Sequence, residues 1–293
     1  MKTVLVVGAT GNIGKEIVAE LARLGGVTIV VGSRDVARAQ EQFQQQREVR
    51  VAGLDADKPE TLLPALQGVD TVIQVSPLSP AMAAQARTLA EAARQAGVRH
   101  LVRSSLMGAG EPEPITEAVW HAEADQAIVD RGLPFTLLRP NQYFQNFLTP
   151  RNQQTVRTQG ALFMPFGTCR VSYIDTRDIA EIAARVALAP DTAHHGKAYV
   201  LTGAESPSMA EVAQALGEAL GKPVSYVAVE PEKTRQALLG AGLPPLMVDA
   251  MLGWFAYCRA GRAERVLEDA QRLLGRKPRS LREFVQDHVS LWR

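Results

Sequence analysis

Three glycines near the amino terminus carry the spacing that points most directly to chemistry: Gly8, Gly11 and Gly14, in Gly8-Ala9-Thr10-Gly11-Asn12-Ile13-Gly14. They follow an apolar run, Thr3 to Val7, and open a segment of helical periodicity from Asn12. The pattern is GxxGxxG, not GxGxxG. The first glycine permits a tight strand-to-helix turn, the second lets backbone approach a pyrophosphate, and the third lets helix and strand pack closely. Amides in the first helical turn then face the phosphate anions. The chemistry implied is the gripping of a dinucleotide; the plainer alternative keeps the same glycines for packing alone.

Choice of dinucleotide is read about 20 residues further on, where an acid at the tip of the second strand would bond the ribose diol of NAD. Ser33-Arg34-Asp35 stands there instead. A guanidinium at Arg34 can clasp a 2′-phosphate in a two-pronged contact worth roughly 1.5 to 3 kcal/mol, which favours NADP as the cofactor. The alternative leaves Arg34 in solvent and uses Asp35 to cap the next helix or hold the ribose. Asp55, closing the third strand in GLDAD, is placed to reach the adenine amino group or to serve a turn.

Acid groups for catalysis are harder to find. A Tyr followed four residues later by Lys would supply a phenol of lowered pKa. The tyrosines are 143, 173, 199, 226 and 257, and four residues on stand Phe147, Arg177, Gly203, Glu230 and Gly261. His121, with Glu123 and Asp125 beyond it, has the near-neutral titration that suits proton transfer, against the commoner reading of a surface histidine among carboxylates. The cluster lacks a metal-ligand geometry, and no metal is expected. Tyr143 can donate to a substrate oxygen or simply pack. His194 and His195 read as solvated loop residues. Met247, Met251, Trp254 and Phe255 recur at helical spacing, which means core.

The elements that must position these residues read clearly. Strands are expected at Thr3 to Val7, Val27 to Val31, Val49 to Ala52, Thr71 to Val75, His100 to Arg103 and Phe135 to Leu138, with helices starting from Asn12, Asp35, Asp57, Pro80 and Thr116. Near-continuous apolar strands separated by helices demand a parallel sheet covered on both faces, a Rossmann-like doubly wound α/β fold. After Pro140 the pattern loosens into an Asn/Gln/Thr-rich stretch. A helix at Arg177 to Ala189 and a strand at Ala198 to Leu201 follow, then helices near Ser208 to Leu220, Pro231 to Leu239, Pro245 to Cys258 and Ser280 to Val289. The expected division is a dinucleotide-binding domain over 1–150, with 175–202 returning to it, and a smaller, mostly helical substrate lobe over 151–293.

Composition narrows the function classes. The 293 residues are 46% hydrophobic and 22% charged, which excludes a disordered or fibrous chain. Thirty-two Lys plus Arg against 31 Asp plus Glu leave a net charge of +1, so no global field draws the chain to nucleic acid. Between Arg259 and Arg282 eight basic residues face three acidic ones, but the signs interleave and no reading helix or aromatic platform accompanies them. Cys169 and Cys258 match no metal or redox spacing and are expected as reduced thiols. No secretion signal is expected from the opening run, which is short and broken by Gly. The longest uncharged stretch, Thr71 to Ala86, holds two prolines and falls short of the roughly 18 apolar residues a membrane span needs. A cytoplasmic protein with no membrane partner is expected.

The chain resembles the NmrA-like branch of the atypical short-chain dehydrogenases, a group of triphenylmethane reductases, NADPH-dependent quinone reductases, festuclavine-type alkaloid reductases and NmrA nitrogen regulators. The resemblance rests on GATGNIG at the start, VRHLVRSSLMGA at strand five, HAEADQAIVDRGLPFTLLRPNQYFQNF through strand six, VSYIDTRDIAEIAA, and GRKPRSLREFVQDH near the end. It implies that Thr10, Asn12 and Ile13 line the pyrophosphate, that Val75, Ser76 and Pro77 border the adenosine, and that Ser104 and Ser105 lie beneath the nicotinamide ribose. It implies further that Pro140, Asn141, Gln142 and Tyr143 shape the nicotinamide and substrate pocket, with Tyr143, His121 and Asn141 as the catalytic candidates. Where many members keep a Lys on the fifth helix, Gln126 stands here. Two functions follow. One is an NADPH-dependent reductase passing hydride to a small apolar acceptor of quinone, dye or imine type. The other is a non-catalytic NADP-sensing regulator acting through a protein partner. Self-association as a homodimer is compatible with either.

Overall fold

A computed structural model describes residues 1–46, 48–190 and 193–293. The chain divides into two compact units, Met1–Pro112 with Ala118–Pro140 and Thr176–Val200, and Glu113–Glu117 with Asn141–Asp175 and Leu201–Arg293.

The first unit is built on β1 (Lys2–Val7), β2 (Val27–Ser33), β3 (Val49–Gly53), β4 (Thr71–Val75), β5 (His100–Ser104) and β6 (Phe135–Pro140). Between them run α1 (Asn12–Leu24), α2 (Val36–Phe43), α3 (Leu62–Leu66), α4 (Met82–Gln95) and α5 (Thr116–Val129). The sheet order is β3-β2-β1-β4-β5-β6, closed by a later seventh strand, Lys197–Leu201, and β1 pairs in parallel with both β2 and β4. The strand order therefore reverses between β1 and β4, where open α/β sheets bind their ligands at the strands' carboxyl ends. This is the doubly wound architecture read from the sequence. Val4, Leu5, Val6, Val30 and Val72 are fully buried. On one face Leu5, Val30 and Val72 meet Leu62, Leu66, Met82, Ala86 and Leu89 of α3 and α4. Small alanines let α4 lie close to the sheet.

Local signals behave largely as their chemistry dictates. Asp35 caps α2 by accepting from the Arg38 amide. One start differs: Asp57 caps nothing, because its carboxylate accepts the Gln85 side-chain amide from α4, and a 3-10 turn, Pro59–Thr61, leads into α3 instead. His194 and His195 lie in a loop as expected but are half-buried and engaged, not solvated. His194 Nδ1 lies 2.9 Å from the Tyr199 hydroxyl, and the His195 ring packs 4.7 Å from that of His100.

The second unit contains α6 (Pro150–Gln159) and β7 (Ala161–Met164), and receives from the first unit's α7 (Thr176–Leu188) and β8 (Lys197–Leu201) the chain that continues as α8 (Met209–Leu220), β9 (Ser225–Ala228), α9 (Pro231–Gly240), α10 (Pro245–Arg259), α11 (Asp269–Leu274) and α12 (Leu281–His288). Capping boxes open α8 and α12 at Ser208 with Glu211 and Ser280 with Glu283. Sequence reading missed α6, β7, β9 and α11. Helix α6 is polar nearly all round and buries only Asn152 and Val156, while β7 and β9 are four-residue strands that pair in parallel only with each other. Cys169 and Cys258 are free thiols. Among the described residues no helix is long and apolar enough to cross a membrane.

Candidate active site

The glycine turn separates into positions that packing demands and one that it does not. Gly8 has φ +76°, and a Cβ there would stand 2.0 Å from the Val75 carbonyl oxygen at the end of β4. A Cβ on Gly14 would stand 2.2 Å from the Gly8 carbonyl oxygen. Both must be glycine for the fold itself. A Cβ on Gly11 would meet only the Gly8 oxygen, at 3.4 Å, which is ordinary contact, and its backbone is extended at φ −84°. Among the described residues no side chain caps α1, and no acidic residue sits in its first turn. Thr10 is half-buried, Asn12 is exposed and Ile13 is buried. The turn thus presents uncapped helix-start amides beside a backbone with room outside it.

Around this turn, Ser33 donates to the Asp35 carbonyl at 2.9 Å while Asp35 is taken up by its cap, which leaves Arg34 exposed with no charged partner among the described residues. Asp55 closes a turn by accepting from the Asp57 amide at 3.1 Å, and its own amide donates to Thr61. Val75 and Ser76 are half-buried and Pro77 exposed, at the end of β4.

Beneath the ends of β4, β5 and β6 lies a buried charge network. Arg103 donates from Nε to Asp125 at 3.0 Å, and Asp125 also accepts from Ser105 at 2.8 Å and Arg139 at 3.2 Å. The remaining Arg103 nitrogens reach Ser76 and the sulfur of Met82. Ser104 and Ser105 are both buried, and Pro140 accepts from the Met107 amide. Asp125, which the sequence places in a surface cluster, is the carboxylate that neutralises Arg103 in the interior, where the guanidinium alone would be an uncompensated buried charge.

That network also corrects the reading of His121. Burial and the Arg103 charge hold its imidazole down to about 3, and Nδ1 is buried without a partner among the described residues. A ring so placed is neutral near physiological pH and is not the near-neutral proton carrier expected.

Asn141 and Tyr143 belong to the second unit. Asn141 is buried; its Nδ2 donates to Ser172 and to the Ala263 carbonyl, both at 2.8 Å, and its Oδ1 accepts from the Gln142 amide. Both amide hydrogens are spent on holding the chain, so Asn141 has no donor left for a substrate. Tyr143 is half-buried, and burial with the nearby Glu117 carboxyl raises its phenol, which stays protonated. No hydrogen bond to its hydroxyl forms among the described residues. Gln126, on the fifth helix, donates to Asp130.

The second unit also holds a partly open cavity of about 720 Å³. Its walls are mostly apolar and aromatic, with Phe147, Phe166, Tyr173, Met251, Trp254 and Phe255 among them. Three of the four residues singled out at helical spacing on α10 therefore line a space, and Met247 does not. Glu117, in the first turn of α5, faces the same cavity, 9% exposed, and burial raises its carboxyl to about 7. Sequence reasoning missed it, since one glutamate at a helix start reads as a dipole partner. A carboxyl in an apolar wall is neutral at a pH where exposed glutamates are charged.

Comparison with known proteins agrees with this architecture. Residues 1–285 match the NmrA-like family. The NAD(P)H azoreductase of Xenophilus azovorans is 38% identical over 289 residues, covering 98% of each chain. Quinone oxidoreductase 2 of Escherichia coli (strain K12) is 30% identical over 250 residues, covering 85% of each. Among solved structures, that of the Citrobacter sp. triphenylmethane reductase complexed with NADP(H) has a TM-score of 0.83 at 26% identity and covers 97% of this chain and 99% of its own. With the match spanning nearly the whole sequence, this chain belongs to the NmrA-like family.

Proposed function

We propose that the chain is an NADPH-dependent reductase that passes hydride to a small, flat, apolar acceptor, with the dinucleotide in the first unit and the acceptor in the second. The observation that carries the cofactor half is Gly11: nothing inside the fold forbids a side chain there, while the uncapped helix start beside it suits an anion. Thr10, Gly11, Asn12 and Ile13 would hold the pyrophosphate, and Arg34 the 2′-phosphate. Val75, Ser76, Pro77 and Asp55 would border the adenosine, and Ser104 and Ser105 the nicotinamide ribose. The Arg103–Asp125 network positions two of these residues, Ser76 and Ser105, from below. When bound, NADPH supplies a hydride from its nicotinamide ring.

The chain's own contribution is orientation and exclusion of water. The aromatic walls of the second unit's cavity suit a flat apolar body, and Tyr143 keeps a proton on a hydroxyl with no competing partner. The reading of the chain as a sensor without catalysis draws less support, because relatives matched over 98% and 85% of their length carry reductase and oxidoreductase names. Anaerobic incubation of the protein with NADPH and a panel of quinones, azo dyes, cationic dyes and imines tests the proposal. Loss of reduced-nicotinamide absorbance with at least one acceptor is expected; no oxidation above background with any of them overturns it.

A further inference from the structure

The cavity of the second unit has a buried acidic side chain set into its apolar wall. Glu117, about nine-tenths buried, lines it with desolvation alone acting on its carboxyl, no hydrogen bond or opposite charge among the described residues contributing. The indole nitrogen of Trp254 and the hydroxyl of Tyr173 are buried without partners among the described residues but have no surface open to the cavity, which leaves Glu117 as the group offered to an occupant. A protonated carboxyl donates a hydrogen bond readily. The complement is an apolar body bearing an acceptor heteroatom.

Resting on the reductase reading above, we infer that Glu117 is the proton donor of this cavity, acting on those acceptors, such as neutral quinones and azo compounds, whose reduction consumes a proton. Hydride adds at one end of the conjugated C=O or N=N system and breaks its π bond. The electron pair left on the far heteroatom takes the proton from the Glu117 carboxyl, breaking O–H as the new N–H or O–H forms. The acceptor gains two electrons, the reduced nicotinamide dinucleotide loses them, and the carboxylate regains a proton from water. This supplies the acid that the absent Tyr–Lys pair would otherwise provide.

The titratable and charged groups around Glu117 are compatible with that role. Tyr143 and Cys258 both feel its charge and are themselves raised by burial, so they stay protonated. Tyr173 is likewise raised by burial. Arg151, Glu230 and Lys233 line the cavity from exposed positions, and His121, four residues on in the same helix, is neutral.

The test compares wild type with Glu117→Gln and Glu117→Asp, using a naphthoquinone and a cationic triarylmethane dye that takes hydride without a proton. With the quinone, wild-type kcat is expected to fall as pH rises past about 7. Glu117→Gln should lose about a hundredfold in kcat together with that pH limb, and Glu117→Asp should recover part of both. A Glu117→Gln enzyme within threefold of wild type, or one that keeps the limb, overturns the inference. An equal loss with the cationic dye marks a packing role only and overturns it too, while the reductase reading stands. A wild type that oxidises NADPH with neither acceptor nor any other overturns the reductase reading itself.

Discussion

Arg34 stands exposed at the tip of β2 with its neighbours Ser33 and Asp35 bonded to each other and to the start of α2. Its guanidinium is therefore uncommitted, and Arg34→Ala is expected to weaken NADP binding about tenfold or more while leaving NAD nearly unchanged, as calorimetry would read. Equal losses for both dinucleotides would remove Arg34 from the site. Glu117 makes a separate prediction on stability. Its folded carboxyl titrates at about 7, above the ordinary 4.5, so the folded state binds the proton more tightly than the unfolded chain does. The contribution is full below about 4.5 and is lost as pH rises through about 7, up to ~3 kcal/mol in all. Chemical denaturation should therefore show wild type losing stability relative to Glu117→Gln between those two values; parallel curves would refute the burial. The type of these residues was legible, but their surroundings were not. Arg34 could be named from its distance to the glycines, whereas Glu117 and His121 owe their titration to groups far along the chain.

At the scale of elements, the β1–α1 turn tests the difference between packing and binding. Gly14→Ala would drive a methyl to 2.2 Å from the Gly8 carbonyl oxygen and should destabilise the protein by several kcal/mol, about 3 or more, visible as a lowered Tm. Gly11→Ala meets only ordinary contact, so Tm should shift little while dinucleotide affinity falls at least about tenfold. A Gly11→Ala protein that binds as wild type would return the turn to packing alone. The strands β1 to β6 and most helices were readable because each has a strong period and short capping signals. The polar α6 and the four-residue β7 and β9 were not, since their formation depends on partners such as the β7–β9 pairing.

Across the whole molecule, the first unit is assembled from three separate chain segments. Helix α7 packs on α1, and β8 closes the sheet beside β6. A fragment of residues 1–140 lacks both, and is expected to uncover part of the apolar faces of α1 and of the sheet. It should bind a hydrophobic dye and unfold without a cooperative transition, while the full chain does neither. A fragment that melts as sharply as the full chain would show that the returning segment is dispensable.

The order of strands and helices, the glycine turn, the neutral charge balance and the family resemblance all follow from local pattern, because periodicity, capping and close backbone approach are written in residues near one another in the chain. Only the tertiary structure decided that Asp125 neutralises Arg103, that Asn141 is spent on Ser172 and Ala263, that His121 is held neutral, and that Glu117 shares an apolar cavity with Tyr173 and Trp254. Desolvation and pairing depend on which distant groups arrive beside a side chain, and that is a property of the folded chain, which no spacing along it records.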